Sequence, residues 1–247
     1  MCGRYAQTAD MRELMEQFEV TGTSPQSSLP LNWNIAPTNP IYIVRANDRS
    51  GNDIKSERAL ATVSWGLIGP WLTDLQEARA SQSRAINARS ESIHEKPTFR
   101  NAFRSTRCLI PASGYYEWAT ALGQYRPKQP FYISARDGMA LPIAGIWSSW
   151  TAPTGEVIET ASIITQEAQG ELETIHSRMP VFMPPDRWDL WLNPRNTDVN
   201  ELKSLMVVEH PESIVIARPV SDAVNSVANN GKELTVETPL GEPETLF

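Results

Sequence analysis

Cysteine is scarce in this chain of 247 residues. Cys2 and Cys108 are its two cysteines, too few for a disulfide framework, and no Cys-x-x-Cys or His-Glu-x-x-His is present to hold a metal. Neither a metal nor another cofactor is therefore expected. Long apolar runs are also missing: no stretch approaches 18 uninterrupted apolar residues, and the opening MCGRYAQTADMRE is charged where a secretion signal needs an apolar core. The expectation is a cytoplasmic protein with no membrane span. The chain has no Gly-rich phosphate loop after a strand, no βαβ alternation and no internal repeat, which argues against a doubly wound nucleotide-binding fold. Net positive charge is lacking too, and −7 opposes coating of nucleic acid through bulk electrostatics.

With 40% hydrophobic and 21% charged residues, the chain has the make-up of an ordinary globular protein long enough to bury a substantial core. Met11, Leu14, Met15 and Phe18 recur at i, i+3, i+4 and i+7, predicting a helix from near Thr8. The Gly/Ser/Pro-rich stretch from Val20 to Leu31 reads as a loop, and 69–85 as irregular. Strands are predicted from Ile41, Leu60, Arg107, Pro130, Leu141, Glu159 and Ser213, with a long hairpin connection between the first two. Short helices are expected at PDRWDLWL, with Pro185 at its start, and at DVNELKSLM. Strands outnumber helices. The prediction is a single α+β domain over 1–230, with a mainly antiparallel, partly closed, barrel-like sheet core flanked by short helices. The stretch 231–247 reads as an acidic, flexible tail.

Charge is unevenly spread. From Arg79 to Arg107 seven cations face only Glu91 and Glu95, a pattern that suits either a focused phosphate-binding groove or a solvated arginine-rich loop. Trp33, Trp65 and Trp71 fall near loops, and indoles beside arginines can stack single-stranded bases, although core packing is the commoner role of tryptophan.

Four residues carry candidate chemistry. Removal of Met1 would give Cys2 a free amine beside its thiol, a 1,2-aminothiol able to clasp one aldehyde carbon through both heteroatoms. An α-amino group near 7.7–8.0 leaves roughly a tenth of the amine neutral at pH 7, and neighbouring cations would raise the thiolate share. Glu117 lies among Tyr115, Tyr116 and Trp118, where desolvation raises a carboxyl pKa toward neutrality, or else it faces solvent from a strand. His176 lies before a Met-Pro-Val-Phe-Met run and suits proton transfer, or a structural hydrogen bond. Asn87 stands two residues before Arg89, so on an extended segment the two share a side.

These residues occur within MCGRY, WNIAPTNP from Trp33, WGLIGPW from Trp65, INARSESI from Ile86, RCLIPASGYYEW from Arg107, PFYI, AGIW and IHSRMPVFM from Ile175. Jointly they resemble the SRAP family, the SOS-response-associated peptidase domain, through nearly the whole chain. The resemblance implies a protein that recognises abasic sites in single-stranded DNA and crosslinks to them as a thiazolidine through a mature N-terminal Cys2, with strand cleavage by β-elimination as a possible side activity. It implies that Asn87 orients the sugar or the reacting terminus, and that Glu117 and His176 move protons. Arg4, Arg89 and Arg178 would hold phosphates, Asn34 would line the pocket, and Trp65 and Trp71 would act near the bases. The loop departs from the family pattern where Gly69 separates Ile68 from Pro70. A monomer associated with the nucleoid when bound to DNA is expected. Two other functions fit the same residues: a thiol peptidase that removes its own first residue, and a non-covalent binder of single-stranded DNA.

Overall fold

A computed structural model describes residues 2–47, 57–120 and 125–240. The predicted hairpin connection falls mostly in 48–56 and so lies outside the described residues. Among the described residues twelve strands run in chain order: β1 (Arg4–Gln7), β2 (Asn32–Ile35), β3 (Pro40–Ala46), β4 (Arg58–Trp65), β5 (Asn87–Arg89), β6 (Arg107–Ala112), β7 (Gly114–Trp118), β8 (Pro130–Ala135), β9 (Leu141–Thr151), β10 (Val157–Glu167), β11 (Arg178–Pro180) and β12 (Val215–Pro219). Between them lie α1 (Met11–Gln17), α2 (Leu75–Arg84), α3 (Arg100–Ser105), α4 (Trp188–Leu192) and α5 (Val199–Leu205).

The strands form two sheets. One is an open antiparallel sheet in the order β12-β8-β7-β1-β2. In the other, β10, β4, β3, β6 and β9 pair in sequence, and β9 pairs back onto β10, closing a five-stranded ring. Between β3 and β6 one register pair is formed, Val44 with Leu109. The long β10 also takes β5 in parallel and β11 antiparallel along its last residues. The fold is thus α+β, barrel-like and mostly antiparallel, the parallel pairings being β10 with β4 and with β5.

Ring strands are apolar on both faces because each face is covered. Along β3, Ile41 and Ile43 face the open sheet, joining Tyr5, Tyr115 and Ile133 with Val63, Cys108 and Ile163. Tyr42 and Val44 face the opposite way, onto Leu14, Phe18, Phe103, Trp188, Trp191 and Leu202 of the helices. Period-two alternation delivers consecutive residues to two different cores.

Helix α1 forms as predicted, with Asp10 closing a capping box with Glu13. Two helices differ from expectation. The irregular stretch 69–85 contains α2, capped by Asp74 and burying only Ala78 and Gln82, so it has almost no apolar stripe to read. The six-residue α3 was not predicted; it inserts Ala102 and Phe103 from an arginine-rich stretch.

The expected flexible tail needs correction over 231–240. Leu234 is fully buried with Tyr116, Tyr132, Val220 and Val224 on the outer face of the open sheet, and Glu237 bridges to Val220. An apolar side chain every few residues suffices to dock a polar segment onto an otherwise bare sheet face. Residues 241–247 lie outside the described residues. Among the described residues, no helix is long and apolar enough to cross a membrane, and no group of three or more His, Cys, Asp or Glu side chains could hold a metal ion.

Candidate functional site

Cys2 lies two residues ahead of Arg4, the first residue of β1, at the end of the open sheet that faces the ring. Its carbonyl accepts a hydrogen bond from Asn87 Nδ2 at 2.8 Å, so β5, the short strand added to β10, grips the chain just ahead of β1. Asn87 is placed by the parallel pairing of β5 with β10, opposite Ile163. Next to β1 runs β7, with Tyr5 opposite Tyr115. Two residues on from Tyr115, Glu117 shares its inward face, and Tyr116 between them points to the outer cluster.

Glu117 is almost fully buried, and burial pushes its carboxyl from the ordinary 4.5 up to about 7, against the pull of the chain's amino terminus. It is therefore near half-protonation at neutral pH. His176 Nε2 stands 4.0 Å from Glu117 Oε2. The backbone N–H of Arg178 donates to His176 Nδ1 at 2.9 Å, which makes Nδ1 an acceptor and leaves the ring proton on Nε2, facing the carboxyl. Burial, and then the amino terminus, lower the His176 pKa, so the imidazole is neutral at pH 7.

Cys2 is fully buried, and its thiol behaves opposite to expectation. Burial first and the Glu117 charge second push its pKa well above the ordinary range, outweighing the amino terminus and a hydrogen bond from the Arg4 backbone. No neighbouring guanidinium makes it a thiolate; a desolvated thiol beside a carboxylate keeps its proton.

The cations expected at phosphates are arranged differently from one another. Arg178 is held by both Glu91 oxygens, at 2.7 and 3.0 Å, and donates to the Thr165 carbonyl at 2.7 Å. Partial burial pushes the Glu91 carboxyl up, but the hydrogen bonds and charge of Arg178, with Arg89, hold it below its ordinary value. Arg89 is exposed at the end of β5. Arg4 turns to the outer face, where Nη1 donates to Asn34 Oδ1 at 2.7 Å and to the Val224 carbonyl at 3.0 Å. Asn34 is buried there, its amide donating to the carbonyls of Val224, Ser226 and Asn229. Both polar side chains are spent on docking the C-terminal segment rather than on the Cys2 pocket.

Arg107 leaves the basic stretch altogether. It is buried and donates to the carbonyls of Trp191, Phe103, Asn193 and Asn196, and burial lowers its pKa to about 10. Of the loop tryptophans, Trp71 is half-exposed at 49% and Trp33 packs against the outer cluster. Trp65 is fully buried, edge-on to Tyr5 at 5.3 Å between centroids, so its ring is not offered to a base. Burial follows from its place at the end of a ring strand whose inward face meets β1. Residues that the sequence did not single out are Glu91, which occupies Arg178, and Thr165. No local pattern signalled Glu91, because the arginine it holds is distant in the chain.

The structure thus brings Cys2, Asn87, Glu117 and His176 into one corner, with Arg178 adjoining through the His176 bond. Trp65 borders this corner from the apolar cluster it shares with Cys2, whereas the side chains of Arg4 and Asn34 lie on the outer face and Trp71 at the surface. The family model described as SOS response associated peptidase (SRAP) matches residues 1–227. Abasic site processing protein YoqW of Bacillus subtilis is 35% identical over 234 residues, covering 95% of this chain and 98% of that one. Abasic site processing protein HMCES of Gallus gallus is 29% identical over 236 residues, covering 86% of this chain and 68% of that one. A solved protein of Bacteroides thetaiotaomicron is similar in fold, with TM-score 0.81 and 24% identity over 96% of this chain and 100% of that one. One from Bordetella bronchiseptica has TM-score 0.70 and 25% identity over 89% and 100%. Since the family model runs through every element that builds the corner around Cys2, the chain belongs to the SOS response associated peptidase (SRAP) family.

Proposed function

We propose that this protein processes abasic sites in single-stranded DNA by bonding covalently to them through Cys2 once Met1 is removed. Relatives named abasic site processing proteins support the substrate class. The observation that carries the chemistry is the grip of Asn87 on the Cys2 carbonyl, 2.8 Å long, beside a Glu117–His176 pair 4.0 Å apart.

The α-amine of Cys2 attacks the aldehyde of the ring-opened sugar, and water leaves as the imine forms. The Cys2 sulfur then adds to the imine carbon while its proton passes to the nitrogen, closing a thiazolidine. One water is lost in all. The order follows from the electrostatics: the thiol is protonated in its resting state, so the amine attacks first, and the positive iminium then draws the sulfur in. A carboxyl near pKa 7 suits Glu117 to protonate the sugar ring oxygen during opening and to accept the proton the amine sheds. Neutral His176, with its proton on Nε2, suits the same relay. Arg178 and Arg89 are the cations of this corner for flanking phosphates, Arg178 exchanging Glu91 for phosphate. Arg4 and Asn34 contribute by docking the C-terminal segment, and half-exposed Trp71 offers an indole to a base.

A thiol peptidase would need a thiolate, which the burial of Cys2 opposes. The test is intact mass after incubation with single-stranded DNA carrying one abasic site. The expected species is protein lacking Met1 plus DNA minus one water; a chain lacking Met1 that gives no such adduct overturns the reading.

A further inference from the structure

Trp65 is a buried indole with two specific engagements. Its edge meets Tyr5, three residues after Cys2, at 5.3 Å. Its Nε1 donates to the Ile86 carbonyl at 3.0 Å. The same carbonyl accepts the Ile163 backbone N–H at 3.0 Å, so both its lone pairs are used and the peptide plane between Ile86 and Asn87 is fixed from two sides. Asn87 in turn holds the Cys2 carbonyl.

The tryptophan is itself rigidly mounted. Its backbone N–H donates to the Asn39 carbonyl and its carbonyl accepts from Thr38, pinning it to the turn after β2. The next residue, Gly66, has φ +110° and donates to the Ala161 carbonyl of β10. A Cβ there would lie 2.2 Å from the Gln82 carbonyl oxygen, so only glycine permits the corner that leaves Trp65 pointing inward.

We propose that Trp65 is a positioning residue for the reaction at Cys2: its indole N–H, acting through the Ile86 carbonyl, sets the direction in which Asn87 holds the reacting terminus. The inference rests on the proposed crosslinking function and adds a residue that touches neither DNA nor the reacting atoms. Losing a held geometry at a reacting centre costs rate without costing affinity.

The experiment compares Trp65→Phe, which keeps an aromatic ring against Tyr5 but has no N–H, with Trp188→Phe. Trp188 is equally a buried tryptophan donating to a carbonyl, that of Met183 at 2.8 Å, but on the helical side of the ring. Thermal midpoints are measured for both, with affinity for DNA carrying an unreactive tetrahydrofuran abasic analogue and the single-turnover crosslinking rate at saturating abasic DNA. Expected for Trp65→Phe is wild-type affinity with a rate lowered roughly tenfold or more, and for Trp188→Phe a wild-type rate despite a similar loss of thermal midpoint. A Trp65→Phe rate equal to wild type, or no lower than that of Trp188→Phe, overturns the proposal. Absence of any adduct with the wild-type chain would instead overturn the crosslinking function. Should Trp65→Phe fail to fold, Trp65→Met, which likewise has no N–H or O–H to donate, replaces it with the same outcomes.

Discussion

Cys2 and Cys108 belong to one buried cluster, yet they inhabit different chemical regions. Both are fully buried, and burial raises both thiols. Around Cys108 the surroundings are strand packing: β6 pairs it with Gly145, whose added Cβ would lie 3.0 Å from its sulfur. Around Cys2 the same apolar cluster ends at an amide, a carboxyl and an imidazole. On the proposed reading, reactivity comes not from an activated thiol but from the α-amine that removal of Met1 would expose where polar side chains border the core.

The contrast is broken most directly by exchanging the thiols for methyl groups. Cys2→Ala is expected to abolish the stable adduct seen by mass, whereas Cys108→Ala retains it while losing about 1 kcal/mol of stability to a small cavity. Equal adduct yields from the two variants would erase the distinction between the regions.

Glu117 sharpens it next. Glu117→Gln is expected to slow crosslinking by about 100-fold in single-turnover assays. The same variant tests the burial of the carboxyl through stability. A folded pKa of about 7 against 4.5 unfolded means that the folded state binds more protons between those values. The stability Glu117 contributes is thus fully present below pH 4.5 and is lost as pH rises through 7, amounting to roughly 3 kcal/mol at 1.36 kcal/mol per unit. Denaturant titrations of Glu117→Gln should show that slope flattened, with the variant the more stable of the two above pH 7. An unchanged slope would mean that the carboxyl is solvated.

Beside Cys108, Arg107→Leu strands four carbonyls that the guanidinium now satisfies. It is expected to cost about 3 kcal/mol, visible as a lowered thermal midpoint, while leaving the salt dependence of DNA binding unaltered. A reduced salt slope would return Arg107 to the phosphate-binding role that the basic stretch suggested. The smallest expected effect concerns the outer face of β7. Leu234→Ala should lower stability by about 2 kcal/mol, whereas a free tail would show no change in the melting curve.

Sequence periodicity reveals those elements whose burial is regular. The ring strands read clearly because β3, β4, β6, β9 and β10 carry apolar residues for two covered faces, and α1 reads clearly because one stripe and an Asp10 cap coincide. Helix α2 was illegible because it buries an alanine and a glutamine. The three-residue β5 carries too few side chains for any period, although it holds Asn87. Among the site residues, the sequence motifs named Cys2, Asn87, Glu117 and His176 together. Trp65, Arg4 and Asn34 occur in the same motifs, and nothing in their local pattern told packing from contact with a ligand.

Residue chemistry and the family motifs together singled out the candidate groups: a Cys2 that becomes an aminothiol on removal of Met1, a carboxyl among aromatics, an imidazole and an amide are legible without coordinates. Tertiary structure decided their states and partners. Proton affinity depends on how much water and charge surround a group, and hydrogen bonds depend on which strands pair. Glu117 near neutrality, Cys2 as a protonated thiol, Arg178 already clasped by Glu91 and Trp65 turned inward therefore exist only once β1, β5, β7 and β10 have converged.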